Sequence, residues 1–140
     1  MPVLMQLLSI DNYDDAIKWC EEHPEDVKEG YTLSKEAIIV WTRLPSQRFI
    51  KQGVRINCTL PSPTQTPMMS HFESATPLSV IDAFTLPTAR RSTPEEQAGA
   101  LVLLNSAGAG FINGVALPVD GGFMGGLTTG QIDLGKIMSR

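Results

Sequence analysis

The sequence predicts an α/β chain rich in helix, and three observations carry that prediction. Two short runs, Val54–Thr59 and Val115–Val119, have strand length and are β-branched or alternating. Other stretches repeat apolar residues at helical spacing, as Ala16, Ile17, Trp19 and Cys20 do among Asp14, Asp15, Lys18, Glu21 and Glu22. Thr93-Pro94-Glu95-Glu96 combines a capping box with proline at the first helical position, which marks a helix start. At 140 residues, 42% apolar and 19% charged, the chain has the size and composition of one soluble globular domain. A net charge of -4, with Arg90-Arg91 as the one basic doublet, argues against nucleic acid as a partner.

Taken in order, Met1 to Ile10 is apolar but short and lacks a basic start, so it reads as a packed segment and neither a targeting peptide nor a membrane span. Asn12 to His23 forms an amphipathic helix that Asp11 or Asn12 can cap, and Pro24-Glu25-Asp26 ends it or starts a new turn. Tyr31 to Gln52 is one long helix with a thick apolar face of Ala37, Ile38, Val40, Trp41 and Leu44, suited to a sheet or to a partner subunit. Pro45 lies inside it at a cost of about 3 kcal/mol, so a kinked or divided helix is expected, closed by Gly53. Val54 to Thr59 is then a buried parallel strand in which Asn57 serves a turn or backbone contact.

Met68 to Leu86 reads as a loop plus a short helix, with His71 solvated or hydrogen-bonded. The capping box opens a helix that runs to about Asn105. Gly108-Ala109-Gly110-Phe111-Ile112-Asn113-Gly114 looks like a dinucleotide loop, but it follows a helix and leads into Val115–Val119. A phosphate loop does the reverse, so this is a connector. Asp120-Gly121-Gly122 closes the last strand, and residues 127–140 are expected to form a tail. Cys20, on a helix, and Cys58, in a buried strand, have no metal or redox spacing, which reads as reduced thiols in a cytoplasmic protein.

The candidate chemistry starts at Tyr31. Tyr31 and Lys35 are four residues apart, so on a helix they share one face, one turn apart. A neighbouring ammonium favours a phenolate, which can exchange protons with an alcohol or carbonyl. That suits an oxidoreductase, provided a hydride carrier lies beside the pair. Alone the spacing is a weak signal, because such pairs are common on helix surfaces. Pro61-Ser62-Pro63-Thr64-Gln65-Thr66-Pro67 lies just past the carboxyl end of the strand, where open α/β sheets place ligands; the same residues also suit a proline-stiffened loop that binds nothing. Met68, Met69 and Phe72 can line an apolar substrate pocket or be ordinary packing.

The order of these motifs is more specific than any one of them. Tyr31-x-x-Ser34-Lys35, then Gly53-Val54-Arg55-Ile56-Asn57-Cys58, then Pro61 to Pro67, then Leu117-Pro118-Val119-Asp120-Gly121-Gly122 resembles the C-terminal half of a short-chain dehydrogenase/reductase, over roughly residues 30 to 126. The resemblance implies the C-terminal part of a Rossmann-type doubly wound parallel sheet, about two strands with flanking helices, with the N-terminal dinucleotide-binding half absent. Residues 1–126 would be a partial domain of that kind and residues 65–90 its substrate loop. Tyr31 would move the proton, with Lys35 steadying the phenolate and the cofactor ribose. The family's Pro-Gly-x-x-x-Thr loop maps onto Pro61, Thr64 and Thr66 as cofactor contacts, with Ser62 in place of the glycine. Met68, Met69 and Phe72 fall in the region that covers substrate.

One expected element is displaced. The family carries a catalytic serine about a dozen residues before the tyrosine, and that count lands on Lys18 inside a predicted helix. Ser9 is the one upstream candidate, and its hydroxyl more naturally caps a helix or faces water. A better match is the hydroxysteroid dehydrogenase and carbonyl reductase-like branch, in which a helical insertion, here residues 11–29, separates serine from tyrosine. The serine would then lie upstream of Met1.

The implied activity is hydride transfer between NAD(H), favoured over NADP(H), and a secondary alcohol or ketone, hydroxysteroid or aromatic carbonyl by subgroup. The expected partners are a small-molecule substrate and either a homo-oligomer or a chain supplying the N-terminal half, with no nucleic acid, membrane or metal. With about two of the six or seven strands of such a sheet and no glycine loop for the pyrophosphate, the chain alone is expected to be inactive. The alternative is a non-catalytic remnant that pairs with a full-length homologue through the Tyr31 to Gln52 helix.

Overall fold

The computed structural model describes residues 2–138. They form two units, residues 2–58 with Asn113–Val115, and Thr59–Ile112 with residues 116–138.

The first unit is helical. It contains α1 (Pro2–Leu8), α2 (Tyr13–Glu22), α3 (Pro24–Val27), α4 (Tyr31–Arg43) and α5 (Ser46–Ile50). Asn12 caps α2, its Oδ1 accepting from the Asp15 N–H at 2.9 Å. His23 ends that helix by stacking on Trp19, ring centroids 4.3 Å apart, while its Nδ1–H donates to the Trp19 carbonyl at 2.8 Å. Pro24 then opens α3, and Gly30, at φ 76°, turns the chain into α4. The helix expected from Tyr31 to Gln52 is divided at Pro45: α4 stops at Arg43 and α5 begins at Ser46, whose hydroxyl donates to the Arg43 carbonyl at 2.7 Å. Helix α1 packs against α4, and Leu4 and Val40 are buried there.

The strand after Gly53 differs from its expected span. It is β1 (Cys58–Pro61), whereas Val54–Asn57 lie outside it. Two side-chain amides explain the shift. Asn113 Oδ1 accepts from the Ile56 N–H and Asn57 Oδ1 from the Val115 N–H, both at 3.0 Å, so side chains take the place of ladder partners. Asn57 therefore serves the backbone contact its sequence position suggested. Cys58 is half-buried at the strand's start and not enclosed as expected.

Strand β2 (Ala116–Val119) pairs with β1 in a two-stranded sheet. Cys58 N donates to Val115 O and Ser62 N to Val119 O, a constant offset that makes the pair parallel.

The second unit also contains α6 (Met69–Ala75), α7 (Leu78–Ala83), α8 (Pro94–Asn105), α9 (Phe123–Thr128) and α10 (Leu134–Met138). Two helices thus occupy the stretch expected to hold one. Pro77 separates them, with Thr76 extended at φ -133°, ψ 131°, as a residue before proline prefers. Ala107–Ala109 is a 3₁₀ turn inside the glycine-rich connector. In the segment read from sequence as a tail, α9 ends and α10 packs against α7. Phe84 and Phe123 meet at a tilt of 45° with centroids 5.2 Å apart, near the buried Ile81 and Ala83. The core is thin: among the described residues no large side chain is completely enclosed.

Candidate active site

Tyr31 is the first residue of α4 and Lys35 lies one turn on, so the helix alone sets their spacing. The Lys35 ammonium sits over the tyrosine ring, 5.3 Å from its centroid, as a cation–π pair. Tyr31 is 55% exposed, open to a reactant from solvent. The pair thus presents a proton-bearing phenol and an ammonium together at the exposed head of the helix. Lys18 lies on α2 and pairs with Glu22 at 3.8 Å, and the Ser9 hydroxyl donates to the Gln6 carbonyl at 2.7 Å in the exposed end of α1. Neither approaches the role of a catalytic serine.

The remaining candidates belong to the second unit. Pro61 ends β1, and the loop after it turns on a set of hydroxyls. Thr64 Oγ1 donates to the Ser62 carbonyl at 2.8 Å and lies 3.0 Å from Ser92 Oγ. Thr66 is exposed and its hydroxyl has no partner among the described residues, which leaves it available to an incoming anion or amide. Met68 is 63% and Phe72 37% exposed, while Met69 opens α6 half-buried. None of the three lines the cavity of about 280 Å³ beside the loop, which Ser62, Thr88, Ser92, Gln97, Val119 and Gly122 help enclose. Ser92 and Gln97 escaped sequence reasoning because their partners lie about 30 and 22 residues away.

The rim of that cavity is pinned electrostatically. Thr93 and Glu96 form the capping box of α8, and Arg90 grips Glu96 through two bonds of 2.9 and 2.7 Å. The Arg90 hydrogen bond first, then the Thr93 N–H, holds the Glu96 carboxyl down at about 2. A depressed folded value means that the stabilisation is present above the ordinary carboxylate range and is lost as pH falls through about 2. The gap in thermal midpoint between wild type and Glu96→Gln should therefore close between pH 4.5 and about 2. It should also shrink with salt, since the pair is exposed. A gap independent of pH would assign the effect to packing.

Among the described residues no three His, Cys, Asp or Glu side chains converge to hold a metal ion, and no helix is long and apolar enough to cross a membrane.

A small parallel sheet of two strands together with many helices makes this an α/β protein, similar to structures of the Rossmann type. The chain belongs to the short-chain dehydrogenase/reductase family: the family model described as enoyl-(acyl carrier protein) reductase matches residues 20–124. Coniferyl-alcohol dehydrogenase of Pseudomonas sp. (strain HR199 / DSM 7063) is 29% identical over 118 residues, 84% of this chain and 46% of that protein. Galactitol 2-dehydrogenase of Rhizobium johnstonii is 35% identical over 97 residues, covering 67% and 37% respectively. The crystal structure of the 3-alpha-hydroxysteroid dehydrogenase from Pseudomonas sp. B-0831 complexed with NADH is similar over 93% of this chain and 50% of that one, with TM-score 0.73 and 30% identity. The chain thus spans half or less of the length of these relatives.

Proposed function

We propose that this chain is the C-terminal portion of an NAD(P)-dependent oxidoreductase that interconverts a secondary alcohol and a ketone. The observation that carries the proposal is the Tyr31–Lys35 pair at the head of α4, ammonium over phenol ring. Tyr31 would give or take the proton at the substrate oxygen, and Lys35 would steady the phenol's charge and help hold the ribose of the cofactor. The second unit has groups that suit a nicotinamide cofactor: an exposed Thr66 hydroxyl and a loop placed just past a parallel strand. Pro61, Thr64 and Thr66 would hold that cofactor by backbone and hydroxyl contacts. Once bound, it supplies the hydride donor or acceptor. We favour NAD(H) over NADP(H), as in the hydroxysteroid dehydrogenase complex with NADH.

A hydroxysteroid or aromatic carbonyl substrate accords with the names of two relatives and with the exposed Met68 and Phe72. The apolar side chains Ile38 and Trp41 on α4 and Leu44 just past its end, each about half exposed, suit a second copy or a chain that supplies a dinucleotide-binding half. A cytoplasmic location accords with the two free cysteines. No observation favours the non-catalytic alternative.

Titration of the purified chain with NADH, followed by nicotinamide fluorescence, should give no binding and no turnover. The same chain fused behind the dinucleotide-binding half of a homologous dehydrogenase should do both. Binding and turnover by the chain alone would overturn the partial-domain reading, and a folded fusion that binds NADH yet reduces no ketone would overturn the oxidoreductase reading.

A further inference from the structure

We infer that Ser92, oriented by Gln97, is a positioning residue for the Pro61–Thr66 loop. The backbones meet first: Ser92 N donates to Pro63 O at 3.0 Å and Gln65 N to Ser92 O at 2.9 Å, with a parallel bridge between Thr64 and Ser92. Around that bridge the hydroxyl protons can be assigned one by one. Gln97 Nε2 donates to Ser92 Oγ at 3.0 Å and Ser62 Oγ donates to it at 3.1 Å, which fills both of its lone pairs. The Thr64 hydroxyl spends its own proton on the Ser62 carbonyl at 2.8 Å. The Ser92 proton is therefore left for Thr64 Oγ1 at 3.0 Å, with Pro63 O, at 3.3 Å, its longer alternative.

Gln97 fixes the direction of this network. Its other Nε2–H donates to the Val119 carbonyl of β2 at 2.9 Å, so flipping the amide would set two oxygens against each other. The orientation that results leaves Gln97 Oε1 buried with no partner. A buried acceptor without a partner loses its hydration for no return, so an apolar side chain would be the less costly occupant if Gln97 served only to fill space. What the amide supplies is a link from β2 and α8 to Ser92, and through Ser92 to three successive loop residues. With the Thr64 hydroxyl consumed inside the network, Thr66 is left as the outward hydroxyl. The significance of the loop for cofactor binding rests on the function proposed above.

The positioning role is tested on the full 140-residue chain by amide hydrogen exchange, without cofactor. Ser92→Ala and Gln97→Leu should each speed exchange at Gln65 and Ser92 by about five- to tenfold, as loss of one or two neutral hydrogen bonds predicts, while the buried Leu104 of α8 keeps its rate. Ser92→Thr, which restores the hydroxyl, should return Gln65 to near the wild-type rate. Unchanged exchange at Gln65, or acceleration in step with Leu104, would overturn the inference. Failure of the folded fusion to bind NADH would instead strike the cofactor reading and leave these rates to be judged on their own.

Discussion

Tyr31→Phe is expected to lower kcat of the fused enzyme by about 10²- to 10⁴-fold, the range that a positioned general acid or base contributes. The substitution removes one oxygen and little else. The phenylalanine ring stays at the first position of α4, where the Lys35 ammonium can still lie over its face as it does at 5.3 Å in the parent. Helix start and cation–π contact are therefore retained, and circular dichroism and the thermal midpoint should hardly move. The loss falls on the proton transfer, so kcat drops while KM stays within a few-fold. A variant that keeps its kcat would remove Tyr31 from the mechanism and return the pair to the status of an ordinary surface contact.

Gly121→Ala should destabilise the fold by about 2 to 5 kcal/mol, from left-handed strain of about 1–2 and overpacking of about 1–3. Gly121 has φ +63°, and a Cβ built on it collides with the Thr88 Cγ2 methyl. That methyl cannot easily turn away, because the Thr88 hydroxyl lies 2.7 Å from the Thr85 carbonyl and 2.9 Å from that of Arg90. Gly53→Ala is the matched control, since Gly53 also has positive φ, +76°, but open space where the Cβ would go. Urea denaturation of the two variants should therefore differ by the overpacking contribution alone. Equal losses would show that Thr88 yields and that backbone strain dominates.

The parts of the fold legible in the sequence are those written in local spacing. The Tyr31–Lys35 register, the Asn12 cap, the Thr93–Glu96 box and the break at Pro45 each depend on residues within four positions of one another. The strand after Gly53 was legible in kind but not in extent. β-Branched alternation marks Val54–Thr59 as extended, yet whether an amide joins a ladder depends on what faces it, and Asn113 and Asn57 face Ile56 and Val115. The division at Pro77 was present in the letters but weaker than the apolar pattern around it. Nothing in the sequence marked Ser92 or Gln97: a serine before a capping threonine and a glutamine in a helix's first turn look like surface residues until a loop from thirty positions upstream closes over them.

The asparagine exchange has a chemical consequence. Asn113-Gly114 is the dipeptide in which the following backbone nitrogen most readily attacks the side-chain carbonyl, closing a succinimide that opens to aspartate or isoaspartate. In the folded chain the attacking atom, Gly114 N, is bound to Ile56 O at 2.8 Å, while the Asn113 side chain is held by Ile56 N and by the Ser46 carbonyl. Deamidation therefore waits on local opening. Once it occurs, the new carboxylate lacks the N–H that met Ser46 and sets one oxygen against another. Each opening thus carries a chance of becoming permanent, and the slow build-up of isoaspartate at residue 113 would record how often this part of the molecule has come undone.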